Sequence, residues 1–155
     1  MRSGRRLAID VGKVRIGVAV SDFHGILASG LETIIRDIDS SLALARIIEL
    51  ANELSPIEIY VGLPISMAGQ HTSSTQDAVD FADALAAQVS CPIRLIDERL
   101  STVSASSALR SSGRDSKSGR KVIDQIAATV ILEQALEIEK ATGALPGKRL
   151  EQLDG

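Results

Sequence analysis

Short apolar runs broken by turn signals mark the first third of the chain. LAIDV at 7–11 and RIGVAV at 15–20 are rich in β-branched residues and are separated only by Gly12, Lys13 and Val14, which predicts a hairpin. ILASGLETIIR at 26–36 follows a turn signal at 23–25 and continues the pattern as a third strand. The period then changes. Leu44, Ile47, Ile48, Ala51 and Leu54 fall at helical spacing, with Ser40 or Ser41 as a cap in front and Pro56 as a stop behind. IEIYVG at 57–62 is apolar on both faces and predicts a central strand covered from both sides. Residues 65–74 read as an exposed loop, 75–89 as a second helix and PIRLID at 92–97 as a fifth strand. A short helix capped by Ser101 or Thr102 runs to about residue 111, a Gly/Ser-rich basic loop follows, and a longer helix covers 121–140 until Gly143, Pro146 and Gly147 stop it.

The order β-β-β-α-β-α-β-α-α begins as a meander and finishes with helix crossovers. It predicts an α/β fold: a mixed five-stranded sheet, three antiparallel strands then two parallel, with helices on both faces. This is the layout of a ribonuclease H-like domain. At 155 residues one core is expected, with 1–6 as a flexible basic N-terminus, 7–142 as the single domain and 143–155 as a C-terminal tail.

Composition narrows the function classes. Hydrophobic residues at 45% and charged residues at 24% describe a folded soluble domain, and the N-terminus holds neither a signal-peptide core nor a membrane span, so a cytoplasmic location and no membrane partner are expected. The single cysteine, Cys91, permits no internal disulfide and reads as a small buried apolar residue. Aromatics at 2% exclude a base-stacking platform, so any nucleic acid must be held through its backbone. The net charge of −3 is polarised, because Arg2, Arg5 and Arg6 cluster at the start and Arg110, Arg114, Lys117, Arg120 and Lys121 face only Asp115 within 110–121. Such segments can steer a polyanion, although a solvated tail and loop would look the same.

Three acids stand out. Asp10 interrupts the first strand, where an aspartate is disfavoured unless it is hydrogen-bonded, paired or bound to a cation. Asp97 and Glu98 end the fifth strand together, and because strand side chains alternate only one of them can face Asp10; Glu98 is the candidate, and Asp97 reads as capping or bracing the turn with Arg99. Asp124 begins a helical stripe of small residues, Ala127, Ala128, Ile131 and Ala135, that can lie close to the sheet. Carboxylates from three separated segments suit Mg²⁺ or Mn²⁺, which take oxygen ligands and leave room for water and phosphate. His24 and His71 stand alone in loops and read as exposed residues rather than ligands.

With these residues in place the chain resembles the YqgF family, also called RuvX. The matching stretches are AIDVGKVRIGVAVSD at 8–22, VGLP at 61–64, DERLST at 97–102 and KVIDQIAATVILE at 121–133, of which DERLST followed by D-x-x-A-A is the most specific. The resemblance implies a nuclease that processes the 5′ end of precursor 16S ribosomal RNA, with Asp10, Glu98 and Asp124 as catalytic metal ligands. Branched DNA such as a Holliday junction is the alternative substrate, and ribosomal particles are the implied partners of a monomer or dimer. Lys13, Arg15, Arg99, Arg114, Lys117, Arg120 and Lys121 are the expected nucleic-acid contacts. The chain departs from the resolvase pattern at Ala127, where resolvases carry a further acid or histidine. Two other classes remain open on sequence: a nucleotide-binding ATPase or sugar kinase, suggested by DVGKVRIGVA, and a non-catalytic ribosome-assembly factor that keeps the fold.

Overall fold

The structure, a computed structural model, describes residues 1–66, 68–98 and 116–150, excepting the side chains of 116–122. Six strands form one sheet: β1 (Arg6–Val11), β2 (Arg15–Ser21), β3 (Ala28–Ile35), β4 (Glu58–Leu63), β5 (Ile93–Asp97) and β6 (Lys148–Arg149). Their spatial order is β3-β2-β1-β4-β5-β6. β1, β2 and β3 make the expected antiparallel meander, and β1, β4 and β5 run parallel. The helices among the described residues are α1 (Ser41–Leu54), α2 (Ser73–Ala86) and α3 (Ser116–Thr142). No helix among the described residues is long and apolar enough to cross a membrane.

The period-two alternation sorts side chains into two cores. Leu7, Ile9, Ile16, Val18, Ile59, Val61 and Leu95 pack on one face against α1 and α2, represented by Ile47, Leu50, Phe81 and Leu85. The other face presents Ala8, Ala19, Tyr60 and Ile96 to Ala128, Ile131, Leu132, Ala135 and Leu136 of α3. Every residue of β4 is buried, as its two-sided apolar pattern requires. Gly17 of β2 and Gly30 of β3 let the N-terminal part of α3 come in close. A Cβ on Gly17 would stand 1.9 Å from the Asp124 carbonyl oxygen, and one on Gly30 2.8 Å from the Gln125 side chain.

Several expectations need correction. A sixth strand exists because the buried Arg94 guanidinium donates to the carbonyls of Pro146 and Gly147, drawing part of the expected tail along β5. Ser40 occupies the N-cap of α1 without capping it: its hydroxyl takes a bond from Arg36, and the Asp37 carboxylate instead accepts from the amides of Leu42 and Ala43. Thr72 caps α2 reciprocally with Thr75, so that helix starts and ends earlier than the sequence pattern suggests. Cys91 is half-buried beside the first core rather than fully buried. The short helix expected from Ser101 or Thr102 lies outside the described residues.

The basic N-terminus is also not a loose tail. Arg6 opens β1 fully buried and donates to Glu139 near the end of α3 at 2.9 Å, while Arg2 bridges Glu139 and Glu58, the latter at 2.8 Å. Burial alone would raise the Glu139 carboxyl, but hydrogen bonds from Arg2 and the charges of Arg2 and Arg6 outweigh it and hold its pKa below the usual range. Burial, with the neighbouring Glu58 carboxylate adding to it, raises the pKa of the Tyr60 hydroxyl. This clamp fastens the C-terminal half of α3 to the strand starts.

Truncating Glu139 to alanine removes the carboxylate shared by two guanidinium groups, one of them fully buried, and is expected to cost about 3–5 kcal/mol in urea unfolding. Removing the half-exposed Arg46, which bridges Glu32 and Glu49, should change stability far less. Equal losses in the two variants would contradict the clamp.

Candidate active site

β1, β4 and β5 run in the same direction, so their C-terminal ends lie at one end of the sheet. On the α3 face the alternation that points Ala8 and Ile96 at the helix also points Asp10 and Glu98 there, with Gly62 on the strand between. The two acids meet: the side chains of Glu98 and Asp10 are hydrogen-bonded. Asp97, paired in register with Leu63, belongs to the opposite side of the strand. Glu98, and not Asp97, thus lies against Asp10 at this end.

Two carboxyls can bond in this way only by holding a proton between them. Burial is the largest influence on Glu98, and its hydrogen bond to Asp10 and the charges of Asp10 and Asp97 add to it, so its pKa is pushed up to about 9. Asp10 is also raised, first by burial and then by the charge of Asp124, while the bond from Glu98 works the other way. Both carboxyls are thus raised, and one proton is shared between them.

Asp124 comes from the first third of α3, and Gly17, which pairs with Asp10 across β1 and β2, lets its backbone reach the sheet. Its carboxylate is engaged by Arg15, whose Nε donates to Oδ2 at 2.9 Å. Glycine also makes room at Gly62, where a Cβ would meet Glu98 Oε1 at 2.3 Å and Ile131 Cδ1 at 2.5 Å. Gly17 and Gly62 lie inside strands, where glycine is a sign of close approach.

The turn beside Asp10 is braced from outside the site. Gly12 donates to the Arg15 carbonyl at 3.0 Å, and a Cβ there would lie 2.5 Å from that oxygen, which explains why this position carries no side chain. Arg36 donates to the Gly12 carbonyl, to Ser40 and, through both terminal nitrogens, to the two oxygens of Asp77 at 2.7 Å. One guanidinium therefore links the turn, the start of α1 and the body of α2. Nothing in the spacing of Arg36 and Asp77, 41 residues apart, signals that pairing.

The expected nucleic-acid contacts separate. Arg15 reaches the acids, whereas the exposed Lys13 lines a cleft of about 550 Å³ with Arg36, Asp37 and Asp77. Arg99 and Arg114 lie outside the described residues; Lys117, Arg120 and Lys121 fall in the first turns of α3, but their side chains lie outside the description. His24 and His71 are exposed.

Among the described residues no group of three or more His, Cys, Asp or Glu side chains is arranged to hold a metal ion. The chemistry nonetheless fits a hard cation: only oxygen donors are present, and two of them are crowded enough to retain a proton that a cation could replace.

A family model described as "RuvX: Holliday junction resolvase" matches residues 4–138. A protein of Leifsonia xyli subsp. xyli, named "Putative pre-16S rRNA nuclease", is 57% identical over 97% of both chains. Proteins of the same name from Clavibacter michiganensis and Streptomyces avermitilis are 53% and 49% identical, covering 95% and 97% of this chain and 91% and 97% of theirs. Among solved structures, Thermus thermophilus RuvC in complex with a Holliday junction substrate superposes with a TM-score of 0.60, covering 94% of this chain and 99% of that one. At 14% identity that likeness speaks for the fold alone, which is the expected ribonuclease H-like one with a sixth strand added.

The raised Glu98 pKa fixes a pH dependence. From its ordinary value of 4.5 up to about 9, the folded chain holds a proton that the unfolded chain releases, so stability falls as pH rises through this window. In chelator, the melting temperature of the wild type should decline between pH 5 and pH 9 more steeply than that of Glu98→Gln. Parallel curves would show that the shared proton is absent.

Proposed function

We infer that this chain, which belongs to the RuvX family, is a divalent-metal-dependent nuclease that processes the 5′ end of precursor 16S ribosomal RNA. Family membership makes it a hydrolase of phosphodiester bonds acting on nucleic acid; the RNA substrate, the 5′ end, the ion and the roles of individual residues are the proposal. The observation that carries the reading is the meeting of Asp10 and Glu98 at one sheet end beneath Asp124, with a proton standing where a cation could sit.

Asp10 and Glu98 would hold Mg²⁺ or Mn²⁺ once their shared proton leaves, and Asp124 would be the third ligand. A bound ion of this kind supplies Lewis-acid polarisation of the phosphodiester and lowers the pKa of an attacking water. The chain's own part is to keep the carboxylates rigid. Glu98 is held over Gly62, Asp124 by the seating of α3 on Gly17, and Asp10 by its pairing with Gly17 across β1 and β2. Arg15 and Lys13 would bind backbone phosphates from either side of the Gly12 turn, joined by Arg99, Arg114, Lys117, Arg120 and Lys121. Scarcity of aromatics agrees with recognition through the backbone rather than by base stacking. A cytoplasmic location and association with ribosomal particles follow from such a substrate.

Branched DNA is a second reading, favoured by the description of the family model. Both substrates belong in one experiment. With Mg²⁺ or Mn²⁺ the wild type should cut a precursor 16S fragment in preference to a four-way DNA junction. Asp10→Asn, Glu98→Gln and Asp124→Asn should each lower the rate by at least about 100-fold, more than the loss of an outer-shell partner to a metal ligand. Preference for the junction would transfer the assignment to branched DNA. Undiminished cutting by Asp10→Asn would remove the catalytic role, and absence of cutting by the wild type would favour an assembly factor.

A further inference from the structure

Three carboxylates at one sheet end must be neutralised somehow before any metal arrives, and the chain does so in two distinct ways. Asp10 and Glu98 hold a proton between them. Asp124 instead holds Arg15, through a charge-assisted bond of 2.9 Å in which the two side chains are 28% and 17% exposed. A pair this sheltered is screened less than a surface bridge, so a third cation must compete with the guanidinium for the same oxygen.

Neither partner can easily drift from the other. Arg15 begins β2 opposite Ile35, directly after the turn fixed by the Gly12 bond to its own carbonyl and by the Arg36 bond to Gly12. Asp124 is fixed by the contact of its own carbonyl with Gly17 on the same strand, two residues along from Arg15. Backbone positions on both sides are thus set by packing, and only side-chain rotation can break the pair. The acid engaged is also the one that the Asp10–Glu98 bond leaves out.

We propose that Arg15 is an internal counter-ion that competes with the divalent cation for Asp124, so that the cation completes its ligand set only after the guanidinium has rotated away. The proposal rests on the metal-dependent reading given above. It assigns Arg15 a positioning role: in the free protein it keeps Asp124 neutralised and lowers the affinity for the ion. Once displaced, it is a cation at the mouth of the site without its carboxylate, which favours a phosphate partner. Metal and nucleic acid would then reinforce each other's binding through one side chain, and by linkage each must help the other equally.

The test needs no catalysis. Mn²⁺ affinity of the full chain is measured without nucleic acid, by calorimetry or by the loss of the free-ion electron paramagnetic resonance signal, with folding checked by thermal melting. Arg15→Gln is expected to bind Mn²⁺ at least about 5-fold more tightly than the wild type, the lower end of typical coupling between sites. In an Asp124→Asn background the same substitution should bring no gain, because the competed oxygen is gone. Arg15→Lys keeps a charge beside Asp124 and should stay nearer the wild type than Arg15→Gln. Equal or weaker Mn²⁺ binding by folded Arg15→Gln, beside wild-type binding that depends on Asp10, would overturn the counter-ion role alone. If no folded variant nor the wild type binds Mn²⁺, the metal-dependent reading falls and this inference with it.

Discussion

The close seating of α3 on the glycines of one sheet face is the constraint on which the rest depends. At Gly17 the helix backbone stands so near the strand that no side chain fits between them, and Ala8, Ala19, Gly30 and Gly62 keep the same face low. An ordinary β-branched residue at Gly17 would lift the N-terminal part of α3 and carry Asp124 away from Asp10. The opposite face, packed with Leu, Ile and Val against α1 and α2, supplies the bulk of the apolar core. One face therefore stabilises the domain, and the other positions chemistry.

Charge is arranged along the same helix in two opposed settlements. Near its C-terminal end, Glu139 is fully compensated by Arg2 and Arg6, and Glu58 shares Arg2, so the cluster is a closed ionic clamp. Asp124, 15 residues earlier and roughly 22 Å away along the axis, sits among acids whose compensation is partial: one proton and one guanidinium for three carboxylates. The clamp holds its charges because both signs come from the fold itself. The other end retains an excess of negative charge in a half-buried place, which is an electrostatic demand for a cation.

Most of this end of the molecule was legible in the sequence because it depends on local periodicity. Alternation along β5 separates Glu98 from Asp97, and the stripe after Asp124 marks the face of α3 that meets the sheet. Asp10 was conspicuous because an aspartate inside an apolar strand is costly unless something answers its charge. Contacts between distant segments were not legible. Arg6 and Glu139 are 133 residues apart, and each taken alone reads as a solvated charge. The same applies to Arg36 bracing Gly12, to Asp37 capping α1 in place of Ser40, and to Arg94 drawing the tail into β6. In every one of these a polar side chain makes a backbone or ionic bond that no repeat in the sequence announces.

The central claim is that the shared proton of Asp10 and Glu98 marks the place of a divalent cation. The most direct measurement is anomalous diffraction from crystals of the full chain equilibrated with Mn²⁺ at neutral pH. The account predicts a peak about 2.0–2.3 Å from carboxylate oxygens of both Asp10 and Glu98, with their mutual hydrogen bond broken. A map with no peak there and the two carboxyls still bonded to each other would contradict it.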